Sequence, residues 1–165
     1  MKTYRTFIFL AFLSVSLSIG CEVDAIHPKA PVNPDKDELL KLVNEARSTG
    51  CNCGDTYYPP VDVVVWSDQL EQAAQNHSND MNEHDNLSHT GSDGSLPGDR
   101  LNSIGYSWWT YGENIALGYS SEKAAVEGWL DSPGHCANIM NGDMTEMGVA
   151  TSGSYWTMVL AKPKL

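Results

Sequence analysis

Basic side chains are scarce in this sequence. Lys and Arg number 10 against 21 Asp and Glu, a formal net charge of −11 over 165 residues. A field of that sign repels phosphate backbones and anionic headgroups, so nucleic acid is not an expected partner. Several catalytic signatures are missing as well. There is no HExxH, the pattern that sets two zinc-binding His on one helix face. No GxSxG elbow surrounds Ser88 or Ser132, although histidines lie near both in sequence, so a serine hydrolase lacks its strained nucleophile turn. The segment Thr90–Ser95, TGSDGS, with Asp99 beyond it, is rich in oxygen donors but has neither EF-hand spacing nor a closing Glu, and reads as a loop. No internal repeat is visible.

What is present begins with an address. In residues 1–20, Lys2 and Arg5 precede the apolar run Phe7–Leu17 and a stretch of small residues. This is the pattern of a secretory signal peptide, too short for a good membrane span. Its removal makes the mature chain more acidic by two charges. Two cut sites are readable. Ser18-Ile19-Gly20 suits ordinary signal peptidase; with Cys21 the same residues resemble a lipobox whose cysteine carries lipid, with Ser18 where Leu is usual. We prefer the lipid anchor on Cys21, because residues 21–34 carry Pro28, Pro31 and Pro34, a Pro-rich polar tether suited to a spacer from a membrane. His27 in that tether has no specific role. Residues 35–165 are then expected to form a single domain. Five Trp and six of the seven Tyr fall in it and supply material for a packed core at that size.

Periodicity and caps organise the domain. Asp35 and Glu38 have the spacing of a capping box, Leu39, Leu42, Val43 and Ala46 recur at helical spacing, and Gly50 stops the helix. Cys51 to Cys53 reads as a loop, and Val61–Trp66 as an extended lead-in. Ser67 opens a second helix with Leu70, Ala73, Ala74, His77, Met81 and His84 on one face. His77 on that face is expected to be a hydrogen-bonded core histidine rather than a ligand. Asn86–Gly98 is loop, and Pro97 opens a short helix through Ile104. Gly105–Gly118 has no helical period. Ser120 or Ser121 caps a helix that Ser132-Pro133 breaks and restarts. Met147–Thr151 and Tyr155–Ala161 read as strands. The sum is a layered α/β domain.

A secreted chain meets an oxidising compartment, which permits disulfides. With Cys21 lipidated, Cys51, Cys53 and Cys136 remain. Direct pairing of Cys51 with Cys53, two residues apart, is strained, so Cys136 takes one of them; the alternative is three reduced thiols. No basic residue adjoins Cys51 to activate it.

The ordered set HSNDM (77–81), SHTGSDGS (88–95), GENIA (112–116), GW (128–129), SPGHCANIM (132–140), EMGVA (146–150) and YWTMV (155–159) closely resembles the bacterial branch of the CAP superfamily, the SCP-like extracellular domains. That superfamily includes cysteine-rich secretory proteins, venom allergens and pathogenesis-related plant proteins. The resemblance covers about residues 36–162 and implies an α-β-α sandwich, a secreted setting and a central cleft. It favours Cys53–Cys136 as the disulfide. The family cleft often holds two His and two Glu able to bind a divalent metal. By position His89 matches the first His and Glu113 the first Glu, while Ser132 and Tyr155 stand at the other two places; His135, in SPGH, is the bacterial branch's addition.

Two functions follow as expectations. One is a non-enzymatic binding module whose polar cleft, with His89, Glu113, His135 and Tyr155, takes an extracellular peptide, glycan or lipid. The other is a metal-assisted hydrolase in which His89, Glu113 and His135 hold zinc and activate water. Without metal, His89 and Glu113 form a polar pair that either serves acid–base work or fixes the surrounding loops. Arg100, one of few cations near the acidic loop, is expected in a structural ion pair. Tyr106, Trp108, Trp109 and Tyr111 are expected to pack as core and wall, with a carbohydrate-like binding surface as the alternative.

Overall fold

A computed structural model describes residues 34–164. The expected signal peptide, the expected lipid anchor at Cys21 and all but the last residue of the expected tether lie outside the described residues. Elements follow in the order α1 (Lys36–Thr49), β1 (Cys51–Cys53), β2 (Thr56–Tyr58), β3 (Val65–Trp66), α2 (Asp68–Glu83), α3 (Pro97–Ser103), β4 (Trp108–Leu117), α4 (Glu122–Asp131), α5 (Pro133–Ile139), β5 (Glu146–Ser152) and β6 (Tyr155–Pro163).

Local chemistry sets the helix ends. Asp35 Oδ1 accepts from the amides of Asp37 and Glu38, satisfying two orphan donors of α1. The reciprocal half of the expected capping box comes from elsewhere: the Asp35 amide donates to Glu122 Oε1 at 2.9 Å, so α4 and not Glu38 closes the cap. Gly50 ends α1 at φ 74°, in the left-handed region that glycine enters freely. Ser132 is at once the C-cap of α4 and the N-cap of α5, with Pro133 opening the new helix. Helix α2 stops at Glu83; His84 is its cap and turns outward, its side chain 49% exposed, instead of extending the apolar face.

Four strands form one sheet in the order β3-β5-β6-β4, with β3 parallel to β5 and the other pairs antiparallel. Alternate residues of the central strands divide between two cores. Trp156, Met158 and Leu160 join Met147 and Val149 against Leu39 and Val43 of α1, Val126 and Trp129 of α4 and Ile139 of α5. Val159, Ala161 and Ala150 pack instead with Leu70, Ala73 and Ala74 of α2 and Leu101 of α3. The result is an α-β-α sandwich, as expected. Both faces of β6 are covered, so the strand is buried almost throughout. Gly148 of β5 is required by this packing: a Cβ there would land in the backbone of Leu70 and Glu71.

One short piece differs from the loop reading, and a longer stretch left without a period forms a strand. Cys51–Cys53 pairs with Thr56–Tyr58 as a small antiparallel hairpin. The aperiodic stretch after Gly105 contains the ten-residue strand β4, paired along its length with β6. Cys53 and Cys136 are bonded, with Cα atoms 5.4 Å apart, tying that hairpin to α5 across a sequence separation of 83. Closing a loop of that size is worth about 4 kcal/mol by chain entropy. Arg47, fully buried at the end of α1, donates from Nε to Asp62 O, from Nη1 to Ile139 O and Asn141 O, and from Nη2 to Met144 O, at 2.6–3.0 Å.

Candidate functional site

Glu113 sits on β4, directly opposite Val159 and so on the sheet face that carries α2. Its side chain is only 3% exposed, and a buried carboxylate needs partners. It has two. His89 Nδ1 donates to Oε1 at 2.8 Å, and Arg100 Nη2 donates to Oε2 at 2.7 Å. The Arg100 side chain is itself nearly buried, at 11% exposed, which strengthens the charge-assisted bond.

The loop between α2 and α3 brings His89 to this point and is held on both sides of it. His77 Nε2 donates to Ser88 O at 2.9 Å, and Arg100 reaches His89 O at 3.0 Å and Ser95 O at 2.9 Å. His77 is a buried, bonded histidine of α2, yet its Nε2 lies 3.8 Å from Glu113 Oε1, closer to the carboxylate than a remote core residue would be. Burial, with the Arg100 charge adding to it, lowers its pKa against the pull of Glu113. The ring is therefore neutral, with its proton on Nε2; Nδ1 is buried and has no hydrogen-bond partner among the described residues.

Helix α5 approaches from the other side of β4. Asn138 Nδ2 donates to Glu113 O and Asn114 Oδ1, and Asn114 Nδ2 donates to His135 O at 3.0 Å. These amides, which sequence reasoning missed, fix the backbone of His135. Its pKa is lowered by burial and by the charge of nearby His89, so the two imidazoles sense each other. Tyr155 stands apart. It lies on the same face as Glu113 but four residues along β6 from Val159, about 13 Å at strand rise. Its hydroxyl donates to Asp85 Oδ1 at 2.7 Å, and burial together with that carboxylate pushes the phenol up to about 12. Ser132 is occupied as the joint between α4 and α5.

Arg100 forms a structural ion pair, and its carboxylate partner is Glu113, while the neighbouring acidic loop offers it the carbonyl of Ser95. A hollow of about 260 Å³ opens beside it, lined by Asp80, Ser92, Asp93, Ser95 and Arg100 among others. Asp80 Oδ1 and Oδ2 accept from the Ser92 hydroxyl and amide, which holds that side of the hollow in shape. Of the aromatic cluster, Tyr106 is buried with its hydroxyl on Glu146, and Trp108 meets Tyr111 edge-on at 4.6 Å. Trp109 is 70% exposed, with Lys164 over its ring.

A zinc ion would need open ligand atoms converging on one point. Each oxygen of Glu113 accepts one strong hydrogen bond, and the donor to Oε2 is a guanidinium, so a cation held by His89, Glu113 and His135 would lie against the positive charge of Arg100, which disfavours that metal centre. Among the described residues, the set of three His, Cys, Asp or Glu donor atoms within 4.8 Å of one another is Cys51, Cys53 and Cys136. Two of these are joined in the disulfide, which leaves one thiol.

The fold has counterparts among known proteins. An extracellular protein containing a SCP domain from Bacillus anthracis strain Ames aligns with a TM-score of 0.67 and 29% identity, over 76% of this chain and 39% of that one. An outer surface protein of Borrelia burgdorferi aligns with a TM-score of 0.64 and 23% identity, over 80% of this chain and 98% of that one. NaASP2, solved with Zn2+, shares the fold with a TM-score of 0.53 and 16% identity, over 75% of this chain and 77% of that one. The membrane protein YlbC of Bacillus subtilis strain 168 is 39% identical over 100 residues, 60% of this chain but 29% of its own length. The chain thus spans under a third of that relative. No helix among the described residues is long and apolar enough to cross a membrane. The model of the cysteine-rich secretory protein family, CAP, matches residues 40–160, and the chain belongs to that family.

Proposed function

We propose that the domain is a non-enzymatic extracellular binding module, with the half-exposed His89 ring and the hollow beside Arg100 as its contact surface. The observation that carries this reading is the pairing of Glu113 with Arg100. Each Glu113 oxygen keeps a lone pair beyond its one hydrogen bond, but the adjacent guanidinium offsets the carboxylate's charge and repels a second cation there. The carboxylate instead anchors His89 and Arg100 in place. The extracellular SCP-domain protein and the outer surface protein among the similar structures support the setting. The acidic and hydroxyl lining of the hollow suits a hydrogen-bonding ligand, a peptide or glycan, better than a lipid chain.

The second reading is a metal-assisted hydrolase. It draws on the electrostatic closeness of His89 and His135 and on the zinc in the NaASP2 structure, and it sets the metal beside the charge of Arg100. One titration separates the two. Short peptides and oligosaccharides added to the isotope-labelled mature chain should shift the amide signals of His89, Ser92, Ser95 and Arg100, leave the probes intact by mass spectrometry, and bind at least tenfold more weakly to His89→Ala. Zinc binding that depends on His89 and Glu113, together with cleaved probe, would establish the hydrolase instead.

A further inference from the structure

The third cysteine of the domain has no role in the site above, yet its position is specific. Cys51 and Cys53 are two residues apart on β1, so both side chains leave the same face of the strand, toward α5. Cys51 Sγ lies 3.6 Å from Cys136 Sγ, and the three sulfurs lie within 4.8 Å of one another. The bonded pair is inaccessible: Cys53 is 4% and Cys136 0% exposed. Cys51 is half-buried and free, the least buried residue of the three.

We infer that Cys51 is the exchange thiol through which the buried Cys53–Cys136 disulfide is made and opened, its external partners being small-molecule disulfides and dithiols. The internal step is balanced without an oxidant. Cys51 loses its proton and, once the β1–β2 hairpin shifts to bring it in line with the Cys53–Cys136 bond, the thiolate attacks Cys136 Sγ. The Cys51–Cys136 bond forms, the Cys53–Cys136 bond breaks, and the electron pair leaves on Cys53, which takes up a proton. Cys136 is the shared sulfur because a direct Cys51–Cys53 bond is strained at that spacing. The product exposes a disulfide at the half-buried Cys51, where a dithiol attacks it and completes the reduction in a second exchange. Formation runs the other way. Cys51 attacks an external disulfide and releases one thiol; Cys136 attacks the mixed disulfide at Cys51 and releases the second. Cys53 then attacks Cys136, and Cys51 returns as a thiol. One external disulfide is reduced to two thiols as Cys53 and Cys136 are oxidised.

The test uses the mature chain carrying Cys21→Ser, so that Cys21 contributes no thiol. In native buffer, dithiothreitol should open the Cys53–Cys136 bond at least tenfold faster in this chain than in the same chain with Cys51→Ala. Cys51→Ala keeps both partners of the native bond, and non-reducing peptide mapping confirms that the bond has formed before the rates are compared. Equal rates would overturn the inference, because the reagent would then reach the disulfide without Cys51. A Cys53→Ser variant isolates the intermediate: after oxidised glutathione, non-reducing peptide mapping should find Cys51 linked to Cys136. Two unlinked thiols in a variant whose circular dichroism is native would equally overturn it. If Cys53→Ser loses its fold, the rate comparison decides alone.

Discussion

Glu113 illustrates how a single buried charge is held. Replacing it with Gln keeps the shape but leaves the nearly buried Arg100 guanidinium without its counter-charge, the costly way to break such a pair. Glu113→Gln is expected to lower stability by about 2–4 kcal/mol in urea unfolding. The double variant with Arg100→Met should regain part of that loss, since both charges are then gone. His77 sets the pH response. Its folded pKa is depressed by burial below the unfolded value of about 6.5, so below that value the unfolded chain binds a proton the native ring refuses. Stability is fully present above about pH 6.5 and falls as the pH drops toward the folded value, by up to about 1.4 kcal/mol per pH unit. His135 shifts in the same direction and adds to the effect. Thermal melts at pH 7.5 and 5.5 should show the drop, and His77→Gln, whose amide can still donate to Ser88 O, should flatten it.

Among the elements, α1 depends on a contact that is not apolar. Arg47 closes four carbonyls of the Asp62 and Ile139–Met144 segments, which flank β3 and precede β5. Arg47→Met keeps the stem and abandons all four acceptors; we expect a loss of about 3–5 kcal/mol, read as a lower denaturant midpoint at unchanged slope. Arg47→Lys should recover only part of it, because an ammonium cannot span that fork. The helices α1, α2 and α4 are legible in the sequence, since each has a capping residue and an apolar face at helical period. The strands β5 and β6 are legible as apolar runs. The hairpin β1–β2 is not, because three-residue strands carry no period. Nor is β4, whose faces meet different layers, so its residues do not alternate simply. Within the site, family resemblance identifies His89 and Glu113. It does not identify the partner of Arg100, because a thirteen-residue separation across loop and helix leaves no local signal.

At the scale of the whole molecule, two helical layers cover both faces of the sheet, and the acidic excess lies outside them. The disulfide adds a covalent frame to this packing. His77, His89, Arg100, Glu113 and His135 all fall between Cys53 and Cys136, inside one closed ring of chain. A pull applied at the two ends of the domain would run through α1 into Cys53, cross the sulfur bridge to Cys136, and leave through β5 and β6. The ring would carry no tension, and about 280 Å of contour length would stay hidden from the stretched chain. A domain pulled at its two ends would lose its outer segments while the site residues remain mechanically slack, until the bridge itself is opened.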